Sequence, residues 1–91
     1  MSDISELETA GVTSFARCGD GKHRLFTINP NIPANVALEY ASTLQSCASQ
    51  LMLDAAMGEG ERHVAWAAFY MGEMATAIVE DLSIQNAPLS S

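Results

Sequence analysis

Residues 61–82, ERHVAWAAFYMGEMATAIVEDL, decide how this chain is read. Val64, Ala67, Met71, Met74 and Ile78 recur at heptad spacing, and Ala68, Ala75 and Leu82 widen the stripe. Trp66, Phe69 and Tyr70 fall outside that stripe, where a helix with one buried face would carry polar residues. The spacing predicts one long helix over 61–82. Because it is apolar over so much of its circumference, it is expected to be covered on more than one side.

Working outward, Gly58-Glu59-Gly60 is short enough to force an antiparallel helical hairpin, with Gly58 the stop of a preceding helix. Glu59 and Glu61 suit the positive end of the second helix. The first helix is predicted over 33–57, beginning at Pro33, whose preset φ and missing N–H suit a first turn. Its stripe is Ala37, Tyr40, Ala41, Leu44, Cys47, Ala48, Leu51 and Ala55. Its other face, with Ser42, Thr43, Gln45, Ser46, Ser49 and Gln50, carries no charge. That suits either an ordinary polar surface or a face partly covered in a dimer. On the second helix Ala65, Ala68, Gly72 and Ala75 form a small-residue line, and close backbone approach is the expected reason for a glycine that costs ~1 kcal/mol of helix propensity.

Ahead of the helices, residues 15–18 and 25–28 are short β-favouring runs, and Gly19-Asp20-Gly21 supplies turn residues between them. A β element is expected over 14–28, ended by Asn29-Pro30-Asn31-Ile32-Pro33. An isolated hairpin is barely stable in water, so this one should lie on the helices or pair with another copy. Residues 1–13 are acidic and aperiodic and read as a flexible tail, as do residues 83–91. The fold class is therefore mostly α: one domain over 14–82, with an antiparallel two-helix hairpin behind a short β element. Two copies are expected to close the heptad stripes into a dimeric four-helix bundle.

The net charge of -7 argues against nucleic acid as partner, because phosphates would repel such a surface. The charge is uneven. Arg17, Lys22 and Arg24 cluster in the β element, whereas residues 34–82 carry seven acids against Arg62. No uncharged apolar segment is long enough for a membrane span, since Glu73 interrupts the best candidate. The N-terminus lacks the features of a signal peptide. Two cysteines, Cys18 and Cys47, are too few for a disulfide framework, which points to the cytoplasm.

Chemistry-bearing motifs are few. Lys22 follows glycines, but Ala16 and His23 stand where a phosphate loop needs Gly and Ser or Thr. Gly58-x-Gly60-x-x-His63 lacks the third glycine of a dinucleotide fingerprint and joins two helices. Cys47 and His63 would sit ~12 Å apart along the helix axes, too far for a nucleophile and its base. Cys47 is better read as a small core residue and His63 as a solvated helix end. Cys18 and His23 supply two metal ligands where structural zinc wants four. Glu80 and Asp81 lie at the helix end that disfavours acids, either as a solvated end or as a dock for Lys22 or Arg24. Charge reversal there should then detach the hairpin. No catalytic residue, cofactor or metal is expected.

The run LFTI, NPNIP, ALEYAS, LDAAMGEGE and WAAFYMGEMATAIVEDL resembles the bacterial domain-of-unknown-function family numbered 3077. The likeness covers roughly residues 25–82, through positions such as Leu25, Phe26, Pro33, Ala41, Trp66, Glu73 and Leu82. It implies a small protein with an extended segment before two helices, and no assigned activity, cofactor or catalytic residue. The expected function is a non-enzymatic protein-interaction or regulatory module acting as a homodimer, with another protein as its further partner. Aromatic residues favour interface cores, so Trp66, Phe69, Tyr70 and Tyr40 are the candidate surface. The alternative is a small-ligand- or metal-responsive domain with its pocket between Trp66, Tyr70, Tyr40 and the hairpin.

Overall fold

A computed structural model describes residues 7–58 and 62–86. Two strands, β1 (Ser14–Arg17) and β2 (Arg24–Thr27), precede two helices, α1 (Ala34–Ala56) and α2 (Arg62–Asn86). The strands pair antiparallel, with Ser14 opposite Thr27, Phe15 opposite Phe26 and Arg17 opposite Arg24. β1 packs on α2, and β2 joins the body only through β1. The hairpin therefore lies on the helices, one of the two arrangements its sequence required.

Each boundary has a local cause. In the strand connection the Asp20 carboxylate accepts the N–H groups of Lys22 (2.9 Å) and His23 (3.1 Å) and meets the His23 ring, while Gly21 takes φ +73. The His23 contact, then the two N–H donors, hold the Asp20 carboxyl below its usual pKa. α1 starts directly after Pro33, whose carbonyl accepts the Val36 and Ala37 N–H groups. It stops where Gly58, at φ +76, donates to the Ala55 carbonyl, as a left-handed C-terminal cap does. The start expected for α2 at residue 61, and the roles given to Glu59 and Glu61, lie outside the described residues.

α2 runs past the expected end at Leu82 to Asn86. Nothing in Ser83-Ile84-Gln85-Asn86 breaks a helix, and the first residue that disfavours one is Pro88. Residues 83–86 are thus helix, and residues 87–91 lie outside the described residues.

The helices meet through small residues. Among the described residues the fully buried apolar positions are Ala34, Ala37, Ala41, Ala48, Ala68, Ala75, Ala77 and Leu82. Ala34, Ala37 and Leu82 form a cluster joined by Leu7, Ile32 and Ile78, so the start of α1 lies beside the end of α2 and the pair is antiparallel. Alanine buries little apolar surface, so this core has limited hydrophobic stabilisation. Two expected core positions are corrected here. Tyr40 (67% exposed) and Cys47 are both exposed. They lie about 100–120° round α1 from Ala41, outside the close alanine contact. Gly72 is corrected too: a Cβ built there meets nothing within 4 Å, so no backbone approaches it within the chain.

The expectation of a loose tail over 1–13 fails for residues 7–13; residues 1–6 lie outside the described residues. Thr9 is buried, and its hydroxyl donates to the Asn29 carbonyl (2.6 Å) and accepts the Ile32 N–H (2.9 Å). Its backbone exchanges bonds with Ile32 and Asn31, and the Leu7 carbonyl accepts the Ala34 N–H at 2.7 Å. That last bond satisfies one of the N–H groups a helix start leaves free. Residues 7–13 are a strap tying the start of α1 to the end of α2.

Candidate functional site

α2 carries two rows of function-bearing side chains on different faces. The first is Glu73, Ala77 and Asp81, spaced four apart and therefore stacked along one line. Asp81 is 0% exposed, yet its carboxylate is fully engaged: Oδ2 accepts the Gly11 N–H (2.7 Å), and Oδ1 accepts those of Val12 and Thr13 (both 2.9 Å). Burial alone would raise its pKa. The three N–H donors outweigh burial and hold the carboxyl below its ordinary value. Eight residues earlier, Glu73 Oε2 accepts the Ala16 N–H at 3.1 Å. The strap and β1 thus hang on two acids of one helix face.

This corrects the dock expected for Lys22 or Arg24. Backbone amides, not basic side chains, satisfy Asp81, while Glu80 is exposed. Ala16 shows the cost of reaching Glu73. It takes φ 64, a conformation that costs a non-glycine residue about 1–2 kcal/mol. The ladder is irregular there as well: Ile28 donates to Thr13, and Cys18 to His23, an odd five-residue separation that a regular antiparallel ladder does not allow. Replacing Ala16 by glycine is expected to stabilise the protein by ~1 kcal/mol, read as a higher urea midpoint at unchanged slope.

The second row is the aromatic one. Trp66, Phe69 and Tyr70, at i, i+3 and i+4, form a single group on the outside of α2. Trp66 and Tyr70 stack at 5.8 Å, and Phe69 sits edge-on to both at 6.0 and 5.7 Å. Across a gap lies the cross-strand pair Phe15 and Phe26, 5.5 Å between centroids. Between the two groups is an open cleft of about 630 Å³, lined also by Leu25 and Met74, with Arg17, Cys18 and Glu73 as its polar members. Its apolar residues stay wet: Trp66 is 50% exposed, Phe69 58%, Phe26 50% and Leu25 67%. Tyr40 does not line this cleft. Three of the four expected surface residues come together; the fourth stands apart on α1.

Among the described residues no group of three or more His, Cys, Asp or Glu is placed to hold a metal ion. No described helix is long and apolar enough to cross a membrane. Local reasoning missed Thr9, and for Asp81 it named a dock but the wrong partners. Asp81 had one legible signal: four residues after Ala77 and eight after Glu73, it shares their line along α2. Thr9 had none.

The sequence model of a family described as "Protein of unknown function (DUF3077)" matches residues 9–85. The match begins at the residue that anchors the strap and stops one residue short of the end of α2. No curated protein and no solved structure matches the chain.

Proposed function

We propose that this chain, which belongs to the DUF3077 family of proteins of unknown function, is a non-enzymatic protein-interaction module that works as a homodimer. The observation that carries the reading is the aromatic cleft: Trp66, Phe69 and Tyr70 face Phe15, Leu25 and Phe26 and remain about half exposed. Contiguous exposed apolar surface of this kind marks an interaction site, and Trp and Tyr dominate the energetics of such sites. An alanine-rich core that leaves large apolar side chains outside gives the same chain reason to bury them against a second copy, in a bundle of four helices. The unpaired thiols of Cys18 and Cys47 suit a reducing cytoplasm.

The test is affinity capture from the native host's lysate with the wild type and with the Trp66→Ala/Tyr70→Ala double variant. A stoichiometric partner retained by the first and lost by the second is expected; retention that ignores the substitutions would place the interface elsewhere. One observation favours a second reading. A cleft of about 630 Å³ falls in the range of small-ligand sites. Trp66 is the single tryptophan, so an apolar ligand entering the cleft should shift its emission, whereas the leading reading leaves it unchanged by small molecules.

A further inference from the structure

A second groove lies on the other side of Phe69, and its shape and charge fit a particular occupant. Its floor is the α2 face containing Ala68, Gly72 and Thr76; Arg17 and Arg24 stand on the hairpin side, and Gln45 and Met52 on the α1 side. Its volume is about 630 Å³. Two features of it have no explanation within one chain. Arg17 and Arg24 are direct cross-strand partners, an arrangement of like charges that weakens a hairpin. Among the described residues no ion pair offsets it, since the one present joins His23 to Asp20. Gly72, in the middle of α2, has open space where its side chain would be.

We infer that this groove seats α1 of a second copy, each chain inserting its helix beside the other's about a two-fold axis. The inference rests on the dimeric reading above and specifies its face. Residues 40–53 of α1 contain no charge, and their outer side is exposed, with Met52 at 61% and Leu53 at 52%. Serine and glutamine on that side can both donate and accept, which suits a groove with arginines on one flank and Glu73 and Glu80 within it. The lengths agree: residues 68–80 span ~18 Å and residues 42–53 ~17 Å at the helical rise. Glu39 and Asp54, which flank the uncharged stretch, lie ~22 Å apart along the helix, so one of them, on the second copy, comes to the adjacent Arg17 and Arg24 and supplies the charge the hairpin lacks. A helix ~10–12 Å wide over that length, counted in both grooves, covers roughly half of the ~800 Å² per partner typical of a stable dimer, before the groove walls that wrap it are added. The aromatic cleft stays outside this contact and open to another protein.

The experiment is sedimentation velocity from low to high micromolar concentration on four chains: wild type, Gly72→Leu, Arg17→Glu/Arg24→Glu and Trp66→Ala/Tyr70→Ala. The wild type should reach the mass of two chains. Gly72→Leu should weaken self-association at least tenfold with circular-dichroism helicity unchanged, because its side chain enters only the space the second copy needs. The arginine reversal should do the same, and added salt should weaken the wild-type dimer. The aromatic variant should remain dimeric. A dimer that ignores Gly72→Leu and the arginine reversal, or that is lost with the aromatics, overturns this face while leaving the dimeric reading standing. A wild type with the mass of one chain throughout overturns both.

Discussion

Asp81→Ala is expected to cost this fold about 3–5 kcal/mol, against a total of roughly 5–14 kcal/mol for a domain of this size. Three backbone N–H groups, from Gly11, Val12 and Thr13, converge on a carboxylate with no exposure to water. Hydrogen bonds to a charged acceptor are worth about 1.5–3 kcal/mol each, and a buried donor left without a partner costs about 1–3 kcal/mol. The losses do not add fully, because the freed strap can lift away and hydrate its amides. Lifting it also removes the Leu7 contribution to the cluster around Leu82. Glu80→Ala, one residue away but exposed, should change stability by less than ~0.5 kcal/mol. Urea titration of the two variants decides the matter: equal midpoints would remove Asp81 from the role assigned to it.

The same carboxylate sets an acid limit. Its pKa is lower in the folded chain than in the unfolded one, where it is ~3.9, so its contribution is complete above the unfolded value. It is lost as pH falls below about 4 and through the folded value, because the unfolded chain then binds the proton first. Wild-type stability should fall over that window, and Asp81→Asn, weaker from the start, should show a flatter acid limb.

Gly11→Ala is the second large effect expected, a loss of about 2–4 kcal/mol and a melting temperature lower by about 10 °C or more. Gly11 has φ +79, and a Cβ there would stand 2.5 Å from Pro30 Cβ, 2.8 Å from Pro30 N and 2.9 Å from Pro30 Cα. Two of those three atoms are backbone, so no side-chain rotation relieves the overlap. Gly21 separates strain from clash. It has φ +73 with nothing within 4 Å, so Gly21→Ala should cost only ~1 kcal/mol. Thermal unfolding of both variants measures the difference, and equal losses would mean that Pro30 moves aside without cost.

Much of this molecule was legible from local chemistry. Pro33 and Gly58 bracket α1 to within a residue, since both act through the backbone of the residues beside them. Gly19-Asp20-Gly21 marks the strand connection for the same reason. The apolar circumference of residues 61–82 demanded cover on more than one side; α2 meets α1 on one face and the strap and β1 on another, while the side of Trp66, Phe69 and Tyr70 stays about half exposed. The grouping of Trp66, Phe69 and Tyr70 also follows from helical spacing alone.

The rest depended on partners that no local pattern records. Asp81, by its position in the helix, reads as an acid at an unfavourable end, and only the fold shows amides some 70 residues earlier in the chain converging on it. Thr9 sits in a polar, aperiodic stretch, and its burial comes with carbonyl and amide groups 20 and 23 residues away. Tyr40 and Cys47 share the heptad spacing of the alanine stripe, but the close contact centres on Ala41 and Ala48 and leaves them outside it, about 100–120° round α1 from Ala41. Gly72 looked like a point of close approach and proved to face open space. Periodicity determines which residues share a face; how near the neighbouring element comes, and which backbone groups it brings, is decided only by the packed chain.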